Sequence, residues 1–196
     1  IKTPLEKKKD VLGGSASYFS VSASYFSKVN LVAVVGDDFP KKHIKLLESK
    51  GVDLKGLDIR KGKTFRWEGE YGWDFDSAKT IATHLNLFKD FEPKLIPDYK
   101  DSGIVFLANI DPSLQARILS QVKSPWIVAA DTMNFWIENK KRALLKLLKR
   151  IDILTINETE ARLLTKQPNL VKAAKQILGF GVKHVVIKKG EHGVLY

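Results

Sequence analysis

Ile151-Asp152-Ile153-Leu154-Thr155-Ile156-Asn157-Glu158-Thr159-Glu160 sets a short apolar run directly against a helix start. The run has the length and β-branched character of a buried strand. Asn157 then stands where a helix N-cap belongs, and Glu160 follows three residues later, in the first turn of a helix over 158–164. At that spacing the two side chains face the same way. They can close a capping box, or hold phosphate oxygens and a water-shelled Mg²⁺, or do both. A strand that ends in polar residues and turns into a helix is the unit of a parallel α/β sheet, whose ligands gather at the carboxyl ends of the strands.

The same unit recurs in both directions. Leu31-Val32-Ala33-Val34-Val35-Gly36 is a second buried strand, and Asp37-Asp38 is the expected cap of a helix through Ile44, Leu46 and Leu47 that Gly51 closes. Further strands are expected over 104–108, 126–130 and 184–188, with helices over 113–122, 138–149 and 170–178 between them. Strands buried on both faces and separated by helices imply a largely parallel sheet.

The stretch from Val52 to Phe91 breaks the rhythm. Thr64-Phe65-Arg66-Trp67-Glu68-Gly69-Glu70-Tyr71 alternates apolar or aromatic with charged residues, the pattern of a half-exposed strand. A Gly72-Trp73-Asp74 turn follows. The expected organisation is a first part of the α/β core over 1–51, a β appendage over 52–91 and the rest of the core over 92–196. An antiparallel edge strand of the main sheet is the alternative for 64–71. Near the start, Ser15-Ala16-Ser17-Tyr18-Phe19-Ser20 recurs as Ser22-Ala23-Ser24-Tyr25-Phe26-Ser27. Seven residues are nearly two helical turns, so this repeat is expected to form a helix facing the core.

With 196 residues, 44% of them hydrophobic, the chain can bury a core. No stretch approaches the ~20 apolar residues of a membrane span. The absence of cysteine excludes disulfides and thiolate metal sites and fits a cytoplasmic protein. The net charge of +11 is dispersed in short clusters such as Lys7-Lys8-Lys9 and Lys140-Lys141-Arg142. Such a surplus sets solubility and non-specific attraction, and no helix-turn-helix, zinc finger or aromatic RNA-binding signature accompanies it. Specific nucleic-acid binding is therefore not expected. The four histidines lack metal-ligand spacing.

Other polar groups stand where strands end. Gly13-Gly14 precedes the first helix, where paired glycines let a ligand approach the backbone and the helix start offers N–H groups. Asn109-Ile110-Asp111 and Asp131-Thr132-Met133-Asn134 close two strands, and Asp111-Pro112 reads as a helix cap. Lys188-Lys189-Gly190-Glu191-His192-Gly193 follows the last strand. Its glycines suit a turn beneath a nucleotide, or a hairpin into Val194-Leu195-Tyr196.

In this order the elements resemble the PfkB (ribokinase-like) family of carbohydrate and nucleoside kinases. The parts that carry the resemblance are Gly13-Gly14 with its helix, Val35-Gly36-Asp37-Asp38-Phe39 against the family's VGxD pattern, Asn157-x-x-Glu160, and the turn from Lys188 to Gly193. The resemblance implies a three-layer α/β/α core, a β lid built partly from 64–71, and transfer of the ATP γ-phosphate to a hydroxymethyl group of a small sugar or nucleoside. It implies that Gly13, Gly14 and Asn109 line the substrate site. Asn157 and Glu160 would organise Mg²⁺ and phosphates, without a direct metal ligand, and Lys188, Gly190 and Gly193 would lie at the nucleotide. An exposed lid edge would also suit a homodimer.

The sequence departs from the family's pattern at several points. Tyr18 stands where ribokinases carry Asn, and Met133 and Phe135 stand at the Asn and Arg positions of the family's D-x-N-x-R pattern. Ile1 is not an initiator Met, and the family's first strand is expected ahead of it. The family's D-T-x-G-A-G-D motif, which holds the catalytic Asp, is expected beyond Tyr196. The 196-residue form is accordingly expected to be inactive. A non-catalytic ligand-binding or interaction protein on the same scaffold is the competing expectation, since fold does not dictate function.

Overall fold

Gly14 turns the chain into its first helix, α1 (Ser15–Ala23), at φ +86°, a backbone angle that glycine adopts without steric cost. The computed structural model describes all residues except Asp74, Asp76 and Ser77. Asp74, expected in the turn after Trp73, thus lies outside the described residues. The chain divides into two compact units, Ile1–Pro93 and Lys94–Tyr196.

In the first unit α1 leads to β1 (Val29–Gly36), α2 (Lys41–Ser49) and β2 (Val52–Arg60). β1 and β2 pair in parallel, from Val29 opposite Val52 to Gly36 opposite Arg60. The α/β rhythm therefore continues one strand past the break expected at Val52. Its signal is weak because β2, Val-Asp-Leu-Lys-Gly-Leu-Asp-Ile-Arg, is only half buried and alternates like a surface strand. Leu31, Leu47 and Val52 form the small core between this pair and its helices. β3 (Arg66–Tyr71) and β4 (Ala78–His84) then pair antiparallel as a separate two-stranded sheet. The 64–71 stretch is thus part of its own β element and no edge of a larger sheet. Lys2 extends that element: its amide donates to Gly69, its carbonyl accepts from Tyr71, and its ammonium meets Glu70 at 2.6 Å.

Two expectations for this unit are corrected. The serine-rich repeat is not a core-facing helix: α1 stops at Ala23, only Ser20 within it is buried, and Tyr18 and Phe26 are 69% and 88% exposed. Ala16 and Val21 pack α1 against the Leu31, Leu47 and Val52 core, leaving the aromatic side outward. There Tyr18, Tyr25, Phe26 and Leu46 line a groove of about 560 Å³. Asp37 and Asp38 also do not cap α2, whose N-cap is Pro40. Asp37 accepts from the Gly62 amide, and Asp38 Oδ1 accepts from both the amide and the hydroxyl of Thr64, at 2.8 and 2.6 Å. The Thr64 hydroxyl in turn accepts from the Gly36 amide at 2.9 Å. Partners 25 and 26 residues away took the two carboxylates, and local sequence does not encode such a choice. Burial pushes the Asp38 carboxyl up, but the two Thr64 donors, with Arg66 and Lys63, outweigh it and leave it below its ordinary value.

The second unit is the α/β layer structure expected from the sequence. β5 (Ile104–Leu107), α3 (Pro112–Leu119), β6 (Ile127–Asp131), α4 (Asn134–Asn139), α5 (Lys141–Leu148), β7 (Ile153–Asn157), α6 (Glu158–Thr165), α7 (Leu170–Leu178), β8 (His184–Lys188) and β9 (Val194–Leu195) follow in turn. The strands make one sheet in the order β5-β6-β7-β8-β9. All neighbours are parallel except β9, which folds back on β8. Leu144, Leu147 and Leu148 of α5 meet Leu154, Ile156, Leu164, Ile177 and Ile187 in the core. The single helix expected over 138–149 is two, α4 and α5, broken at Lys140 (φ −133°). The break lets Trp136 and Ile137 reach the interior as well as the leucines of α5.

At the amino end of this sheet Asp152 ties three strands. Its carboxylate accepts from the Val128 amide at 2.8 Å and meets the Lys183 ammonium at 2.7 Å, while its carbonyl accepts from Lys183 and His184. The Lys183 bond first, then the Val128 bond, hold its carboxyl below the ordinary value. A depressed folded pKa contributes stability above the unfolded carboxylate range and loses it as pH falls through the folded value. Asp152→Asn should therefore lower the melting temperature at neutral pH, by the equivalent of about 0.5 kcal/mol. Melting curves of both proteins down an acid series should converge; a constant gap would show that charge is not the cause.

Candidate functional site

The carboxyl edge of the five-stranded sheet gathers the polar residues of the second unit. Asn157 ends β7, and its Oδ1 accepts from the Glu160 amide at 2.8 Å. Glu160 Oε2 reciprocally accepts from the Asn157 amide at 2.9 Å. Both halves of a capping box are thus formed. Glu160 is 8% exposed, far more buried than a cap needs to be. Burial pushes its carboxyl above the ordinary value, and the Asn157 amide and the Lys188 ammonium draw it partly back.

Lys188 ends the neighbouring strand in register with Asn157. Its ammonium makes no ion pair among the described residues. Beyond it the backbone makes a tight turn, with Lys189 donating to Gly193 at 2.8 Å and Gly193 to Gly190. Gly190 and Gly193 both have positive φ, +55° and +80°, which explains glycine at these places. The turn feeds β9, so the hairpin use of this segment is realised. A Cβ at Gly193 would meet nothing within 4 Å, which leaves the turn open on that side.

Asn109, at the end of β5, has its Oδ1 engaged by the Trp136 indole N–H at 2.9 Å. Asp111 caps α3 through the Ser113 amide at 2.7 Å, as its Asp-Pro sequence suggests. The structure thus brings Asn157 and Lys188 to the ends of the adjacent strands β7 and β8, with Glu160 in the first turn of α6, while Asn109 follows β5, two strands away from β7 in the same sheet. Gly13 and Gly14 belong to the other unit. Neither would place a Cβ within 4 Å of any atom, so packing does not demand glycine there and a ligand could approach the backbone. Two residues carried no functional signal in the sequence: Gln115, whose amide ties the ends of β5 and β6 together, and Trp136 of α4, which holds Asn109 beyond β5. Only the apolar setting of Trp136 hinted at this.

These residues fit Mg²⁺ in a limited way. The ion keeps several waters and takes few protein carboxylates. Glu160 supplies one carboxylate at the edge, and no group of three His, Cys, Asp or Glu stands together among the described residues. That composition suits an ion held through water and phosphate, and no protein cage. Among the described residues no helix is long and apolar enough to cross a membrane.

Residues 8–196 match the model of the pfkB family carbohydrate kinases. The chain belongs to this family. It is 31% identical over 187 residues to a cytidine kinase of Thermococcus kodakarensis, matching 93% of this chain and 66% of that one. The chain thus spans just under two thirds of that relative's length. Among solved structures, a putative ribokinase II from E. coli in complex with ATP and Mg²⁺ superposes with a TM-score of 0.70 at 18% identity, over 93% of this chain and 63% of the other. A Methanocaldococcus jannaschii nucleoside kinase, an archaeal member of the ribokinase family, gives 0.67 at 16% identity, over 93% and 60%. Likeness at this level of identity establishes the fold, which is α/β and ribokinase-like.

Proposed function

We propose that the full-length protein transfers the γ-phosphate of ATP to a hydroxymethyl group of a nucleoside or sugar. The observation that carries this reading is the buried Glu160 carboxylate, locked to Asn157 at the end of β7 and faced by Lys188 on β8. The pair holds the negative charge that a water-shelled Mg²⁺ needs, and Lys188 supplies a cation for phosphate oxygens. When bound, Mg²⁺ would neutralise charge on the phosphate chain. The protein's part is positioning and electrostatic stabilisation, which dominate phosphoryl transfer. Gly190 and Gly193 would lie at the nucleotide, and Gly13, Gly14 and Asn109 at the acceptor. The similarity to a cytidine kinase makes cytidine the first acceptor to test. The lid aromatics are largely spent on each other: Trp67 meets Tyr71 edge-on at 6.4 Å and Phe65 stacks on Phe88 at 4.7 Å.

ADP release with ATP and Mg²⁺ against a panel of nucleosides and sugars tests the reading. Turnover is expected with at least one of them from the full-length protein, and the 196-residue chain is expected to bind ATP without turning over. No release from the full-length protein with any acceptor would instead support a non-catalytic binding protein. Lys188→Met should weaken ATP binding about 10-fold, as loss of a charge-assisted contact does. Isothermal titration would read it, and unchanged affinity would remove Lys188 from the site. Cytoplasmic location and a homodimer through the outer edge of β4 complete the proposal; sedimentation of the free protein decides the latter.

A further inference from the structure

Trp136 of α4 is 4% exposed, and a buried indole N–H needs an acceptor. It donates to Asn109 Oδ1 at 2.9 Å, across 27 residues of chain. An indole can only donate, so it selects the oxygen end of the Asn109 amide and turns the nitrogen end away from itself. The Trp136 ring is held in its turn by Phe135, edge-on at 4.8 Å. The backbone just ahead of Asn109 is held from a second helix. Gln115 of α3 is 2% exposed, and its amide nitrogen donates to the carbonyls of Leu107 and Ala108, at 2.8 and 3.1 Å, and to that of Asp131 at 3.2 Å.

Two buried donors, one from α3 and one from α4, thus fix the main chain before Asn109 and the rotation of its side chain. Asn109 itself is only half-buried. It lies past the carboxyl end of β5, on the edge where ligands of a parallel sheet collect. A contact residue whose backbone and amide are both locked by buried neighbours is pre-organised for recognition. We infer that Trp136 is a positioning residue for the phosphate acceptor. It holds the Asn109 amide so that the N–H groups meet an oxygen of the acceptor, a hydroxyl or a ring carbonyl, and it touches no reacting atom itself. This role rests on the reading that Asn109 lies at the acceptor site.

A double-mutant cycle in the full-length protein tests it, with ADP release measured against cytidine or whichever panel acceptor wild type turns over fastest. Trp136→Phe keeps a ring and loses the N–H. It is expected to raise the acceptor KM about 10-fold, as loss of one buried hydrogen bond does, while the KM for ATP stays within about 2-fold. In an Asn109→Ala background the same change should add less than about 2-fold, because a residue that acts through Asn109 then has nothing to position. A purely structural Trp136 would cost as much in either background, or would move both KM values together; either result overturns the inference. Asn109→Asp is a second variant that does not depend on how Trp136→Phe folds. It keeps an oxygen for the indole and loses the donating nitrogen, so an acceptor KM equal to that of wild type would also overturn the inference. A wild-type protein that turns over no acceptor ends the kinase reading and this role with it, whereas turnover with an unmoved KM in Trp136→Phe ends this role alone.

Discussion

Replacing Glu160 with glutamine is expected to leave the protein folded while lowering its affinity for ATP with Mg²⁺ by about 10- to 100-fold. Glutamine keeps an oxygen for the Asn157 amide, so the capping box survives, but the charge does not. Loss of a hydrogen bond or contact to a charged group costs about 1.5–3 kcal/mol, which is the stated range in affinity. Stability should move the other way. The folded pKa of Glu160 is raised, so its contribution is fully present below the unfolded carboxylate pKa and is lost as pH rises through the folded value. Melting curves across pH should show Glu160→Gln gaining on wild type as pH rises from acid to neutral. Asn157→Ala, in contrast, should cost about 1 kcal/mol of stability as a lost N-cap. If Glu160→Gln binds ATP and Mg²⁺ as tightly as wild type, the pair is a helix cap and nothing more.

Gly36→Ala is expected to destabilise the first unit by about 3 kcal/mol or more, the upper end for forced overpacking. A Cβ at Gly36 would collide with the Gly62 carbonyl oxygen and lie 2.7 Å from both the Thr64 amide and Asp38 Oδ1. Two of these three are backbone atoms, so no side chain can swing aside. The collision would open the clasp in which Thr64 bridges Gly36 and Asp38, and with it the anchorage of β3. Urea unfolding followed by the fluorescence of Trp67, in a background with Trp73, Trp126 and Trp136 replaced by phenylalanine, would read the loss. Gly13→Ala is the control, because its Cβ would meet nothing; equal effects at the two positions would refute the steric account.

The clasp also shows where sequence reasoning reached its limit. Val35-Gly36-Asp37-Asp38 was legible as a strand end, and the acidic pair as something that receives N–H donors. The donors proved to be Gly62 and Thr64 instead of the next helix. A carboxylate beside a helix start and one beside a distant loop look alike in sequence, because the hydrogen-bond demand is the same. The second unit read far better. The strand over 184–188 and the helix over 170–178 have the expected bounds, since each is a strongly periodic segment whose buried face admits one packing. β2 and β4 were missed because half-exposed strands carry mixed polarity, and their pairing partners supply the order that their own residues do not.

For the candidate site, the residue types and their spacing were readable: Asn157 and Glu160 three apart, Lys188 at a strand end, glycines where φ turns positive. Their burial was not. The sequence by itself determined the alternation of apolar strands and amphipathic helices, because periodicity is a local property of the chain. Only the tertiary structure decided that Glu160 is desolvated and faced by Lys188, that Asn109 is bonded to Trp136, and that the aromatic side of α1 points outward. Each of these depends on which distant surface excludes water from a side chain, and desolvation is set by the packed neighbours and not by the residue.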